Sequence, residues 1–415
     1  MRTKKEIKFL TELLNIEGIK VISHRQYEGI GIILQVEGIG KESNCPRCGK
    51  KSHRLHQNHR YLVKDLPWGE NFVFLEINRR QFKCEKCLKP FSEELELVKK
   101  RRTYTKRLAR AIIQEVLEND IHSVAKKGVV TTEEIERMLK DASKEYLKAQ
   151  PSELKRLGID EIALIKGKVN YCAVLIDLEK SKLIAILAGR KQEEIKEVML
   201  GWGKEVLEQI EEVSIDLWKS YRNVVRELMP NAQVVADRFH VMAQINKELD
   251  AQRKGEKRQV EDLIKKAESS EEKADPEKVL EALKKSKYVL LKNQSDINEE
   301  QKAKLMQVKD VFFTLKTMLE LKEEIRRIFD RANNWLVGLW QVGRWLSRAK
   351  KYFTDSQNTI IRWLDEIIAY FDYKTTSGVV EGINNKLKLI KRSAYGFRNF
   401  ENFRVRCLLT WQFDC

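Results

Sequence analysis

Residues 170–189 read NYCAVLIDLEKSKLIAILAG, two apolar runs joined by a short charged stretch, Glu179 to Lys182. Such a pair of runs around a polar turn predicts a β-hairpin. Outward from it, RLGIDEIALIKG (156–167) precedes, and EEVSIDLW (211–218) and AQVVADRFHV (232–241) follow as further strand runs. Helical spacing fills the gaps 191–210 and 219–229. The order strand, hairpin, helix, strand, helix, strand implies an α/β unit with a mixed sheet.

The whole chain has 415 residues, room for two to four domains, and 42% hydrophobic residues, enough to build real cores. Its 79 Lys+Arg against 62 Asp+Glu leave a net charge of +17. That excess favours polyanions, nucleic acid foremost, with binding that weakens as salt rises. No apolar run reaches the ~18 residues of a membrane span, and the N-terminus MRTKKEIKFLTELLNIEGIK mixes charges through its apolar positions. The expectation is a protein neither exported nor embedded in a membrane. Four of the seven cysteines form two C-x-x-C pairs, which favours a metal over disulfides.

Those pairs, Cys45/Cys48 and Cys84/Cys87, interrupt β-like runs at 29–38 and around a Pro67/Gly69 turn. Two knuckles of two sulfurs each meet zinc's demand for four tetrahedral ligands, and a hairpin spanning the insert would close them. His53, His56 and His59 lie inside that insert and read better as surface or DNA-facing side chains than as ligands. Next comes KKRRTYTKRLAR at 99–110, seven cations and no acid. Lys99, Lys100, Arg101, Arg102, Lys106, Arg107 and Arg110 are the candidate backbone contacts to DNA. Helical runs on either side of a Gly128 turn, with Thr131 and Glu134 spaced as a capping box, suggest a helix-turn-helix. Its second helix carries Glu133, Glu134, Glu136 and Asp141, which repel phosphate and leave the base-reading helix unassigned.

From 241 to about 375 the chain reads as a charged helical block, with a solvated linker expected at 267–278. Trp335, Trp340 and Trp345 fall at spacing five, spread around a helix, and are expected mostly in the core. After the block, VVEGINNKLKLIKRSAYGF (379–397) sets Glu381, Asn385, Lys388 and Arg392 on one helical face and Ile383, Leu387, Ile390 and Ala394 on the other. Asp160 and Asp216 sit in or beside apolar strands, where an unpaired carboxylate is expensive unless it holds metal. For Asp216 a helix N-cap is the other reading, and for Glu381 a complement to the helix dipole. Asp160, Asp216 and Glu381 together would supply the hard oxygens that two magnesium ions need for phosphodiester chemistry.

CPRCG with RRQFKCEKC, IDEIALIKGKVNYCAVLIDLE, SIDLWKSYRNVVRELMPNAQVVADRFHVM and VVEGINNKLKLIKRSAYGFRNFENFRVR occur in one order. In these motifs the chain resembles the ISL-three family of bacterial insertion-sequence transposases of the DDE type. The resemblance implies a zinc-ribbon-like domain (1–98) and a helix-turn-helix (99–150). It implies an RNase H-like catalytic domain in two parts (151–240 and 376–415) around a helical insertion (241–375). It also implies Asp160, Asp216 and Glu381 as catalytic residues holding two magnesium or manganese ions, with structural zinc on the cysteines. Asp237 and His240 resemble the family's supporting C/D-x-x-H motif, and Asp216 is preferred to Asp237 as the metal ligand; a core histidine tied to Asp237 is the other reading of His240. Lys388, Lys391 and Arg392 would hold the phosphate backbone. The implied activity is binding of terminal inverted repeats, end cleavage and joining to target DNA, by a cytoplasmic, nucleoid-associated homodimer or higher oligomer. A regulator that no longer cuts, and a nuclease without strand transfer, are the alternatives.

Overall fold

The structure is a computed structural model that describes residues 4–146, 151–163, 171–267, 270–375, 378–393 and 399–413. Two compact units emerge, Met1–Lys148 with Leu389–Cys415, and Ala149–Lys388. The division between the units falls within the helix Gly378–Ser393.

In the first unit a sheet runs in the order Ile19–Tyr27, Gly31–Gly38, Asn71–Lys83, Leu55–Trp68, with Pro90–Ser92 also pairing Asn71–Lys83. Alternation along these strands buries Leu34, Val36, Val63, Val73, Leu75 and Ile77 as one core. Gly69 turns the long hairpin with a φ of +61°, as the Pro67/Gly69 reading expected. Gly31 is required for another reason: a Cβ there would stand 2.2 Å from the Phe72 carbonyl oxygen. Three helices follow, Lys106–Glu118, Ile121–Ala125 and Thr132–Tyr146. Thr131 and Glu134 form the reciprocal capping pair, at 3.3 and 3.0 Å. The last helix, Phe400–Phe413, adds Val405 and Leu409 to the core of these three.

In the second unit five strands lie in the order Lys182–Ile186, Tyr171–Asp177, Arg156–Ala163, Glu212–Ile215, Gln233–Ala236. The first three are antiparallel to their neighbours and the last three run parallel. This is the mixed sheet and the hairpin about Glu179 to Lys182 read from sequence, closed here by the pair Asp177 and Lys182, with helices Gln192–Leu200, Lys204–Glu208 and Lys219–Leu228 in the expected gaps. The 29-residue helix Arg238–Lys266 leaves the last strand and opens the helical block.

Two expectations in that block need correction. Residues Ser270–Leu283 are helical despite Pro276, because Ala282 and Leu283 anchor the segment in the core and override the polar composition that read as a linker. Of the three tryptophans only Trp345 is core, its indole donating to the Leu321 carbonyl at 2.7 Å. Trp335 and Trp340 are exposed, since positions five apart fall on different faces of the helix Trp335–Ala349. Gly338 on this helix is held by packing: a Cβ would meet the Phe371 ring at 2.1 Å.

Candidate metal centres

The cysteine knuckles are built alike. In each, the first cysteine's N–H donates to a carbonyl five residues on, Lys50 at 2.9 Å and Lys89 at 3.1 Å. Each first cysteine's carbonyl accepts from the residue four on, Gly49 at 2.8 Å and Leu88 at 2.9 Å. Gly49 and Leu88 both take positive φ, +72° and +55°, so the second knuckle carries strain that the glycine avoids. All four sulfurs lie within 4.8 Å of one another, and Cys48 Sγ is 3.6 Å from Cys84 Sγ. Tetrahedral ligation at Zn–S distances of ~2.3 Å sets sulfur edges of about 3.8 Å, so the thiols fit zinc. The Cys87 N–H donating to Cys84 Sγ at 3.3 Å helps lower that thiol, while hydrogen bonding with Cys48 raises the Cys87 thiol, so the four sulfurs share their protons unequally. His53, His56 and His59 are exposed and outside this cluster; His53 faces Glu42 at 3.3 Å.

The second cluster comes from sheet register. Ile159 pairs with Ile215 and Ile215 with Ala236 on parallel strands. The next residue of each strand therefore falls in one row, Asp160, Asp216 and Asp237, at the ~4.8 Å strand spacing. Asp237 caps the helix Arg238–Lys266, accepting from the Phe239 N–H at 2.8 Å. One turn in, His240 Nε2 lies 2.6 Å from Asp216 Oδ1 and 3.8 Å from Asp160 Oδ1. The ring therefore bonds Asp216; the reading that ties it to Asp237 as a core histidine gives way, because Asp237 is engaged as the helix cap. Nor is Asp216 an N-cap: Lys219–Leu228 is preceded by Trp218 with no side-chain cap bond.

Burial and the neighbouring Asp160 charge raise the Asp216 carboxyl to about 7, while His240 pulls the other way. Burial opposes charge on His240, yet Asp216, Asp237 and Asp160 outweigh it and raise the imidazole to about 9. Elsewhere most buried acids meet arginine: Asp65 with Arg107, Glu93 with Arg80, Glu212 with Arg156, Glu366 with Arg222 and Arg226, whereas buried Asp177 accepts from the backbone N–H groups of Glu179 and Lys180. Among the described residues, no lysine or arginine pairs with Asp160 or Asp216. Two close carboxylates with one histidine form an oxygen-rich site short of positive charge, which suits a hard divalent cation.

Glu381 stands on the helix Gly378–Ser393, exposed, one turn before Asn384. Ile383, Leu387 and Ile390 are buried, as periodicity expected, whereas Ala394 lies outside the described residues. Asn384 is buried and its amide donates to Asp160 Oδ2, which ties the glutamate helix to the aspartate row. Sequence reading missed Asn384; a polar residue among the buried apolar positions of that face was the available signal. Glu381 is outside the tight Asp160–Asp216–His240 group and lines an adjoining cavity with Arg238 and Asp330.

The expected DNA-facing cations divide. Arg102 forms a two-pronged pair with Asp141 at 2.5 and 2.7 Å, and Arg107 joins buried Asp65 and the Leu14 carbonyl. Both hold the fold together. Lys99, Lys100, Arg101, Lys106 and Arg110 are exposed, as are Lys388 and Arg392, while Lys391 is half-buried.

Comparison with known proteins gives the class first. Residues 157–407 match the ISL3 family model described as "Transposase", and residues 41–87 match the zinc-finger model of the IS204/IS1001/IS1096/IS1165 transposases. The chain belongs to the ISL3 family of transposases. It is 26% identical over 397 residues to the transposase of insertion sequence IS1001 from Bordetella parapertussis, covering 94% of both chains. It is 29% identical over 270 residues to the IS1557 transposase of Mycobacterium tuberculosis, covering 62% of this chain and 60% of that one. No helix among the described residues is long and apolar enough to cross a membrane.

Proposed function

We propose that this transposase binds the terminal inverted repeats of its element, cleaves the ends and joins them to target DNA, with an RNase H-like centre in the second unit. Asp160, Asp216 and Glu381 would hold two magnesium or manganese ions. When bound, these ions supply activation of the attacking oxygen and stabilisation of the leaving one. The carrying observation is that two buried or half-buried aspartates, Asp160 and Asp216, meet at one histidine with no lysine or arginine among the described residues paired to either.

The protein's own groups have distinct tasks. Asn384 fixes one Asp160 oxygen by its amide, and the Glu161 N–H at 2.7 Å fixes the other, leaving the carboxylate preorganised. His240 holds Asp216 and carries the proton that offsets the paired negative charge. Asp237 presets the start of the helix that delivers His240. Lys388, Lys391 and Arg392, about two to three turns beyond Glu381, would follow the phosphate backbone. In the first unit the exposed cations Lys99, Lys100, Arg101, Lys106 and Arg110 would hold flanking duplex beside the three-helix segment, a helix-turn-helix in this reading. Pairing of two ends calls for a dimer or higher oligomer.

Glu381→Gln keeps shape and removes one charge. It is expected to abolish cleavage of terminal-repeat DNA in magnesium or manganese while end binding persists; wild-type cleavage by this variant would overturn the assignment. Detection of joined products separates transposition from simple nuclease activity.

A further inference from the structure

We propose that the cavity beside the aspartate row receives one unpaired nucleotide of the DNA, its base stacked on Phe239. This rests on the transposase reading and adds a substrate subsite to it. The cavity measures about 620 Å³, within the roughly 300–1,000 Å³ of small-molecule sites. It lies wholly within the second unit, among the helix Arg238–Lys266, the helix Phe313–Arg331 and the glutamate helix.

Three observations define its occupant. First, two polar atoms of cavity-lining residues, Asn246 Oδ1 and Arg326 Nε, are buried without a hydrogen-bond partner. Native interiors seldom leave such groups unmet, so an acceptor and a donor stand ready for a ligand with both. Second, Phe239 is 57% exposed beside them, a costly placement for a phenyl ring that a stacking partner would cover. Third, the lining charges are equal in number: Arg238 is paired with Asp330 at 2.8 Å, and the remaining charged residues on the wall are one cation, Arg326, and one anion, Glu381. A free phosphate gains little in such a site. A planar, neutral group with a donor and an acceptor along one edge fits it, and a nucleobase is that group.

The cavity is joined to the acid row. The Phe239 ring meets His240 edge-on, with centroids 5.6 Å apart at 84°, and Glu381 lines the cavity wall. A base seated there keeps its own sugar-phosphate within a nucleotide's reach of Glu381. Drawing one nucleotide out of the stack at the cleavage point would thereby fix the strand's register. The exposed Trp335 and Trp340 do not line this cavity, whereas Phe239 does.

The test uses binding alone. Full-length protein is titrated, with calcium replacing magnesium, against a terminal-repeat duplex that is either fully paired or carries a single-nucleotide bulge moved through the last base pairs. The wild type is expected to prefer one bulge position by roughly tenfold or more, in line with the worth of one stacked base. Phe239→Ala should collapse that ratio, Phe239→Trp should keep it, and Asn246→Ala should reduce it. No preferred bulge position, or an undiminished preference in Phe239→Ala, overturns the proposal. Because Phe239 is largely exposed, its replacement leaves the fold intact. Absence of cleavage by the wild type in a separate magnesium assay would count against the transposase reading and leave the bulge preference as an independent result.

Discussion

The cysteine cluster and the aspartate row are both built for metal, yet they solve the charge problem in opposite ways. Each knuckle is closed by its own backbone within six residues, and the four sulfurs supply the four ligands that zinc takes. Around them the first unit matches its buried acids, Asp65 and Glu93, with Arg107 and Arg80. The aspartates of the second unit come together only because three parallel strands share a register, and they receive a histidine in place of an arginine. A closed set stabilises the fold; an open, under-neutralised one spends stability on a site able to bind and react.

The sharpest way to break this contrast is Cys84→Ser. Structural zinc is worth about 10 kcal/mol or more of apparent folding free energy in zinc-finger peptides. Loss of the metal and cooperative loosening of residues 41–92 are therefore expected, while exchange protection in the 156–236 sheet is retained. Metal analysis with hydrogen exchange checks this, and an unperturbed first unit would refute the structural role.

Asp160→Asn should do the reverse. Cleavage should fall roughly a thousandfold, the equivalent of several kcal/mol of lost transition-state stabilisation. The melting temperature should hold or rise, because one of two crowded carboxylates is gone. A large fall in melting temperature would mean that the row is structural.

Arg107→Ala and Lys100→Ala refine the distinction within the basic segment. The first strands Asp65, whose side chain is fully buried, and should cost about 3 kcal/mol in urea unfolding. The second should leave stability unchanged and lower the salt dependence of DNA binding by about one unit of slope.

The smallest effect concerns pH. Arg102 holds the Asp141 carboxyl below its ordinary range despite partial burial. A depressed carboxylate contributes fully above the unfolded value of ~3.9 and loses that contribution as pH falls through the folded one. Asp141→Asn should flatten only this acid limb of the urea midpoint against pH.

Local chemistry was legible in the sequence. The knuckles, the hairpin about Glu179 to Lys182, the Thr131/Glu134 cap and the buried stripe of Ile383, Leu387 and Ile390 all depend on spacings of a few residues, which a linear reading preserves. The same reading named Asp160 and Asp216, because isolated acids beside apolar strands are costly wherever they fall. It did not see what depends on partners far away in sequence. Arg102 and Arg107 looked like DNA contacts, yet they serve acids 39 and 42 residues away. The segment with Pro276 looked like a linker until its end was packed into a core.

Sequence by itself therefore pointed to the family through its ordered motifs, and to the sulfur site and the candidate acids through residue type and short-range spacing. Tertiary structure alone decided which charges are neutralised. Strand register set Asp216 beside Asp160, helix packing brought Asn384 and His240 to them, and Phe239 was left exposed at an unfilled cavity. Neutralisation is settled across distances of a few ångströms in space between residues tens to hundreds of positions apart, and no periodicity in the chain encodes it.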